Sequence, residues 1–107
     1  MKLVIVLSTK RAETNWNALR LGNLALSKGD MVNIFLIGEG VDYDKDTSNQ
    51  FNLKEEISKF LTSSNSKIIA CGTCMKIRGR KNSKVCPRGG IEDLYNLIVD
   101  SDKVITF

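Results

Sequence analysis

Short apolar runs alternate with amphipathic stretches along the chain. Residues 2–8 and 31–37 are almost unbroken apolar runs rich in β-branched residues, with Asn33 the one polar interruption inside the second. Residues 67–71 and 103–107 are shorter versions. Runs without strict alternation are the pattern of strands buried on both faces, typical of parallel sheets. Three helical patterns lie between them. The first starts at a Thr14 or Asn15 cap and runs to Ser27, with Lys28-Gly29 as its stop. Its stripe is Ala18, Leu21, Leu24 and Ala25, widened by Trp16, Leu19 and Leu26. The second begins near Asn52 and places Leu53, Ile57, Phe60 and Leu61 on one face. The third follows Gly89-Gly90, with Ile91, Leu94, Tyr95, Ile98 and Val99 on one face and Glu92 and Asp93 suiting the dipole of its first turn.

The order β-α-β-α-β-loop-α-β, joined by right-handed crossovers, predicts a small parallel α/β sheet with helices on both faces. Leu26 and Leu97 fall off the main helical faces, and their exposure would favour self-association. Residues 38–50 are acidic and polar, and residues 72–90 are strongly basic; neither fits a regular element. Both follow strands, as does Ser8-Thr9-Lys10-Arg11. They therefore emerge at the carboxyl edge of the sheet, where open α/β folds place their sites.

At 107 residues the chain has room for one domain, spanning 1–107. With 42% hydrophobic and 26% charged residues it is ordinary globular protein rather than collagen-like, disordered or membrane-spanning. The longest apolar run, residues 3–7, is far below the ~20 residues a bilayer requires. It also does not read as a secretory signal. A cytoplasmic location with reduced thiols is the expectation, in keeping with an odd count of three cysteines. No histidine is present, which excludes Ser-His-Asp triads, Cys-His dyads, His-ligated haem and His-containing catalytic zinc sites. There is no Walker loop and no GxGxxG. Asp42, Asp44 and Asp46 alternate, but without the glycine and terminal glutamate of a calcium loop.

All three cysteines, Cys71, Cys74 and Cys86, lie in ACGTCMKIRGRKNSKVCPRGG, residues 70–90. The same segment carries Lys76, Arg78, Arg80, Lys81, Lys84 and Arg88 with no acid, against a net charge of +4 for the whole chain. The positive charge is thus local to the thiols. Only a thiolate is a good nucleophile, and neighbouring cations or a helix start after the strand favour it. Gly72 allows the backbone to turn between the two cysteines. Zinc or an iron-sulfur cluster would need a fourth ligand from an acid, water or another subunit. No metal and no organic cofactor is expected. The basic stretch has no interleaved aromatics for base stacking, so it does not favour nucleic acid.

The element order, the Gly38-Glu39-Gly40-Val41 turn, the ACGTCMKIRG segment and the closing DLYNLIVDSDKVITF resemble the DsrE/DsrF-like family, which includes TusD-type sulfur-relay subunits. The resemblance implies a flavodoxin-like α/β fold over the whole chain. Family members carry a cysteine at the end of the third strand, eight residues before the Gly of an Arg-Gly pair; here Cys71 stands eight before Gly79 of Arg78-Gly79. It therefore implies that Cys71 accepts sulfane sulfur as a persulfide and passes it to a partner thiol, a sulfurtransferase-like relay. Lys76, Arg78 and Arg80 would stabilise the anion, with Cys74 as a resolving or a passive residue and Cys86 as bystander. It also implies sulfur donor and acceptor proteins as partners and a homo-oligomer, trimer or hexamer. Two other readings remain open. One is a dithiol redox protein using Cys71 and Cys74. The other is a non-enzymatic subunit whose basic loop docks a partner or an anion.

Overall fold

The structure, a computed structural model, describes all residues 1–107. Its elements are β1 (Lys2–Leu7), α1 (Ala12–Ser27), β2 (Met31–Leu36), a 3-10 helix (Gly38–Asp42), α2 (Leu53–Leu61), β3 (Ser66–Cys71), α3 (Gly72–Ile77), β4 (Arg88–Gly89), α4 (Ile91–Val99) and β5 (Lys103–Thr106). The five strands form one sheet in the order β4-β3-β2-β1-β5, and every pairing is parallel. The α/β fold and the four apolar strands lie where the hydrophobic pattern indicates, but β5 is exposed at all four residues rather than buried on both faces.

Register decides which residues face which layer. Ile5 stands between Ile34 and Ile105, and Ile34 is opposite Ile68. Leu3, Ile5, Leu7, Ile34, Leu36, Ile68 and Ala70 share one core with Ala18 and Leu19 of α1 and Leu53, Ile57 and Phe60 of α2. The alternate positions face the other way. Phe35, Ile69 and Cys71 form a smaller core, against which Leu94 and Leu97 of α4 pack.

Beyond the 3-10 helix at Gly38–Asp42, in a segment read as irregular, the structure departs from the sequence reading in four places. The chain has a fifth strand, β4, only two residues long. It exists because Ala70 N–H donates to Pro87 O at 2.7 Å and Gly89 lies opposite Cys71, so the sheet is extended by pairing rather than by apolar burial. Residues 72–77 are helical rather than loop. Helix α1 starts at Ala12, so Thr14 and Asn15 are inside it; Asn15 is fully buried and donates to Thr9 O instead of capping. Finally, α4 presents a different face. Leu97 is half-buried, as is Leu26, and neither is an exposed surface residue. Exposure falls on Ile91, Tyr95, Ile98 and Val99, which are 64%, 67%, 45% and 67% accessible. The i, i+3, i+4 pattern marked an apolar stripe correctly, but this helix touches the sheet along a narrow line one residue round from it.

No helix is long and apolar enough to cross a membrane.

Candidate thiol site

Alternation along β3 turns Ile69 and Cys71 toward α4, and Ile68 and Ala70 toward α1 and α2. Cys71 ends the strand and occupies the N-cap position of α3, with extended φ −64° and ψ 114°. It is buried, at 7% exposure. One helical step carries the chain to Cys74, which at i+3 returns to the same side as Cys71. Cys74 is half-buried and packs against both cores. The tight passage from strand to helix also depends on space. A Cβ on Gly72 would lie 2.9 Å from Gly89 O and 3.2 Å from Arg88 Cγ, so the glycine admits β4 alongside the cysteine rather than serving only to turn the chain.

All three thiols are free. Burial is the main influence on Cys74 and raises its pKa above the ordinary thiol value; the neighbouring Cys71 thiol adds to this. The backbone N–H of Gly38 and the Arg78 guanidinium pull the other way, but burial prevails. The expectation that surrounding cations would leave this thiol more acidic therefore fails at Cys74. Partial removal from water outweighs the cations nearby.

The three proposed anion-stabilising residues end in different places. Arg78 is half-buried, and Nη1 donates to Cys74 O at 3.2 Å. It is the one cation brought to the thiol pair. Lys76 is exposed and in no ion pair. Arg80 turns away. Its guanidinium binds both carboxylate oxygens of Asp44, at 2.6 and 2.9 Å, and donates to Val41 O at 3.2 Å. The acidic loop after β2 thus holds it, and its charge offsets part of the effect of burial at the Cys86 thiol.

Cys86 is fully buried in the larger core, with Sγ 3.7 Å from Val41 O. Burial raises its pKa, partly offset by Arg80. Tyr43 is also fully buried and its hydroxyl donates to Val85 O at 2.5 Å. These contacts clamp the basic loop onto the 3-10 helix. No three Cys, Asp or Glu side chains converge in metal-binding geometry.

Gly38 is a site residue that sequence reasoning did not assign. A glycine directly after an apolar run was the available sign; its backbone N–H favours the Cys74 thiolate.

Comparison with known proteins bears on the fold and the family. The chain is 32% identical over 100 residues to MJ0989 of Methanocaldococcus jannaschii, covering 89% of this chain and 88% of the relative. It is 33% identical over 102 residues to MK0008 of Methanopyrus kandleri, covering 89% and 83%. The crystal structure of the YchN protein from E. coli superposes with a TM-score of 0.83 at 19% identity over 100% of both chains, which establishes the shared fold. The DsrE/DsrF-like family model matches residues 1–107, and the chain, with its parallel sheet and the thiol pair at the end of β3, belongs to that family.

Proposed function

We propose that this chain is a small sulfur carrier that takes sulfane sulfur onto Cys71 as a persulfide and hands it to an acceptor thiol. The observation that carries the reading is the placement of Cys71 at the carboxyl end of β3, one helical step from Cys74, the thiol on which Gly38 N–H and Arg78 act. The Cys71 thiolate attacks the terminal sulfur of a donor persulfide, R–S–SH. A Cys71–S bond forms, the donor S–S bond breaks, and R–S⁻ leaves, giving Cys71–S–SH. Attack on that outer sulfur by an acceptor thiolate restores the Cys71 thiolate. The exchange needs no metal, cofactor or general base.

The added sulfur extends about 2.05 Å beyond Sγ. For a thiol at 7% exposure, the transferable atom is then the outer sulfur rather than the buried Sγ. Arg78 and Gly38 N–H would stabilise charge on the sulfurs. Lys76 would act from the surface, and Arg80 would act indirectly by fixing the loop that carries the site. The partners are a donor protein bearing a persulfide, an acceptor protein bearing a thiol, and further copies of this chain docked through the exposed side of α4. Free thiols throughout fit a reducing cytoplasmic setting.

The contact between Cys71 and Cys74 also supports a second reading, a dithiol redox pair. Here the Cys74 thiolate attacks Cys71 sulfur of the persulfide, expelling HS⁻ and leaving a Cys71–Cys74 disulfide.

Intact-mass analysis with and without a persulfide donor, on each single Cys→Ser variant, tests both. A carrier gains one sulfur atom in wild type and Cys86→Ser, retains it longer in Cys74→Ser, and gains nothing in Cys71→Ser. Equal gain in Cys71→Ser would refute the assignment. A Cys71–Cys74 disulfide in wild type, with sulfur gained only in Cys74→Ser, would favour the redox pair.

A further inference from the structure

A concavity lies between α2 and the basic loop, and none of the three thiols lines it. Its volume of about 480 Å³ is within the range of small-molecule sites, ~300–1,000 Å³. The apolar surface comes from Ile57 and Leu61 of α2 and from Val85 of the loop. Both walls are fixed. Ile57 is rooted in the larger core, and the carbonyl of Val85 accepts the buried Tyr43 hydroxyl.

The charges around this cleft are unbalanced. Lys54 and Lys84 line it, and neither takes part in any ion pair. Lys54 is the second residue of α2, at the positive end of the helix dipole, where a cation is disfavoured. Asp44 is the one acid in the lining, and Arg80 occupies both of its oxygens. The cleft therefore presents two uncompensated ammonium groups beside an apolar wall.

We propose that this cleft binds a small amphiphilic anion, an aliphatic or aryl carboxylate, with its apolar body on Ile57, Leu61 and Val85 and its carboxylate between Lys54 and Lys84. The charge pattern selects for the anionic head, and the apolar wall selects against free inorganic anions. The site is independent of the persulfide chemistry and stands whether or not Cys71 carries sulfur.

Methyl-resolved NMR titration of the full chain with octanoate, octanamide and octylammonium is the test. Octanoate is expected to give saturable shifts concentrated on the methyls of Ile57, Leu61 and Val85. Octylammonium is expected to bind about tenfold more weakly, as loss of two ion contacts implies. The double variant Lys54→Gln/Lys84→Gln, changed only at exposed positions, should bring octanoate down to the octanamide level. Ser58→Trp, on the exposed side of α2, should block all three ligands by filling the mouth. Equal binding of octylammonium, octanoate shifts centred on α4 instead, unchanged affinity in the double variant, or no saturable shift at all would each overturn the proposal.

Discussion

Cys74 holds its proton more tightly than a free cysteine because burial outweighs the two groups that favour its thiolate. Arg78 is one of those two. Arg78→Ala should therefore move the Cys74 alkylation midpoint to still higher pH, read from the iodoacetamide rate at Cys74 by peptide mass analysis. A midpoint that stays put or falls would show that Arg78 does not act on this sulfur. The thiols themselves are legible in the sequence, because three cysteines and six cations crowd one segment. Their partners are less so. Gly38 follows β2 and Cys74 follows β3, so nothing local announces that the Gly38 N–H bears on this thiol. Arg80 reads as one cation among six; its commitment to Asp44 depends on two loops meeting after different strands.

The basic loop is fastened to the 3-10 helix by Arg80, Tyr43 and Cys86. Arg80→Ala removes a bidentate, mostly buried pair and should cost about 2–3 kcal/mol in urea unfolding, since hydrogen bonds to charged groups are worth ~1.5–3 kcal/mol. Tyr43 and Cys86 give the clamp an alkaline limit. Burial, first among the causes in both, raises their folded pKa values above those of the unfolded chain. The unfolded state thus loses these protons first. Stability from this source is complete below about pH 8.5 and declines as pH passes the unfolded cysteine and tyrosine values, ~8.5 and ~10. Tyr43→Phe should lose about 1 kcal/mol at neutral pH with its hydrogen bond, yet show a flatter decline between pH 8 and 11. A parallel decline would remove Tyr43 from this account. The 3-10 helix itself lies hard against β1: a Cβ on Gly40 would sit 1.8 Å from Leu7 O. Gly40→Ala should cost about 3 kcal/mol by forcing these backbones apart. Elements built on long apolar runs were legible, as was the Asn52 start of α2, where the side chain accepts from Glu55 N–H. Those built on few residues were not. β4 has two residues and α3 has six, too few for any periodicity to show.

On the scale of the whole molecule, the two faces of the sheet are unequally covered. α1 and α2 seal one side over a core of 18 buried residues, while the buried core under α4 contains three. No residue of α4 is fully buried, and its outer surface exposes Ile91, Tyr95, Ile98 and Val99. Association of copies through this helix would cover those residues. Tyr95→Lys with Ile98→Glu should lower the sedimenting mass while leaving the circular dichroism of the fold intact. An unchanged mass would place the contact elsewhere. Amphipathicity indicated an apolar stripe here, but only the packing of Leu94 and Leu97 shows which part of it faces the sheet.

The central claim concerns one sulfur atom. In a Cys74→Ser/Cys86→Ser variant, Cys71 is the sole thiol. After incubation with a persulfide donor, peptide mass analysis should find one added sulfur on the Cys71 peptide, released by an excess of acceptor thiol. A Cys71 peptide that remains unmodified while the donor is intact and the variant is folded would contradict the account.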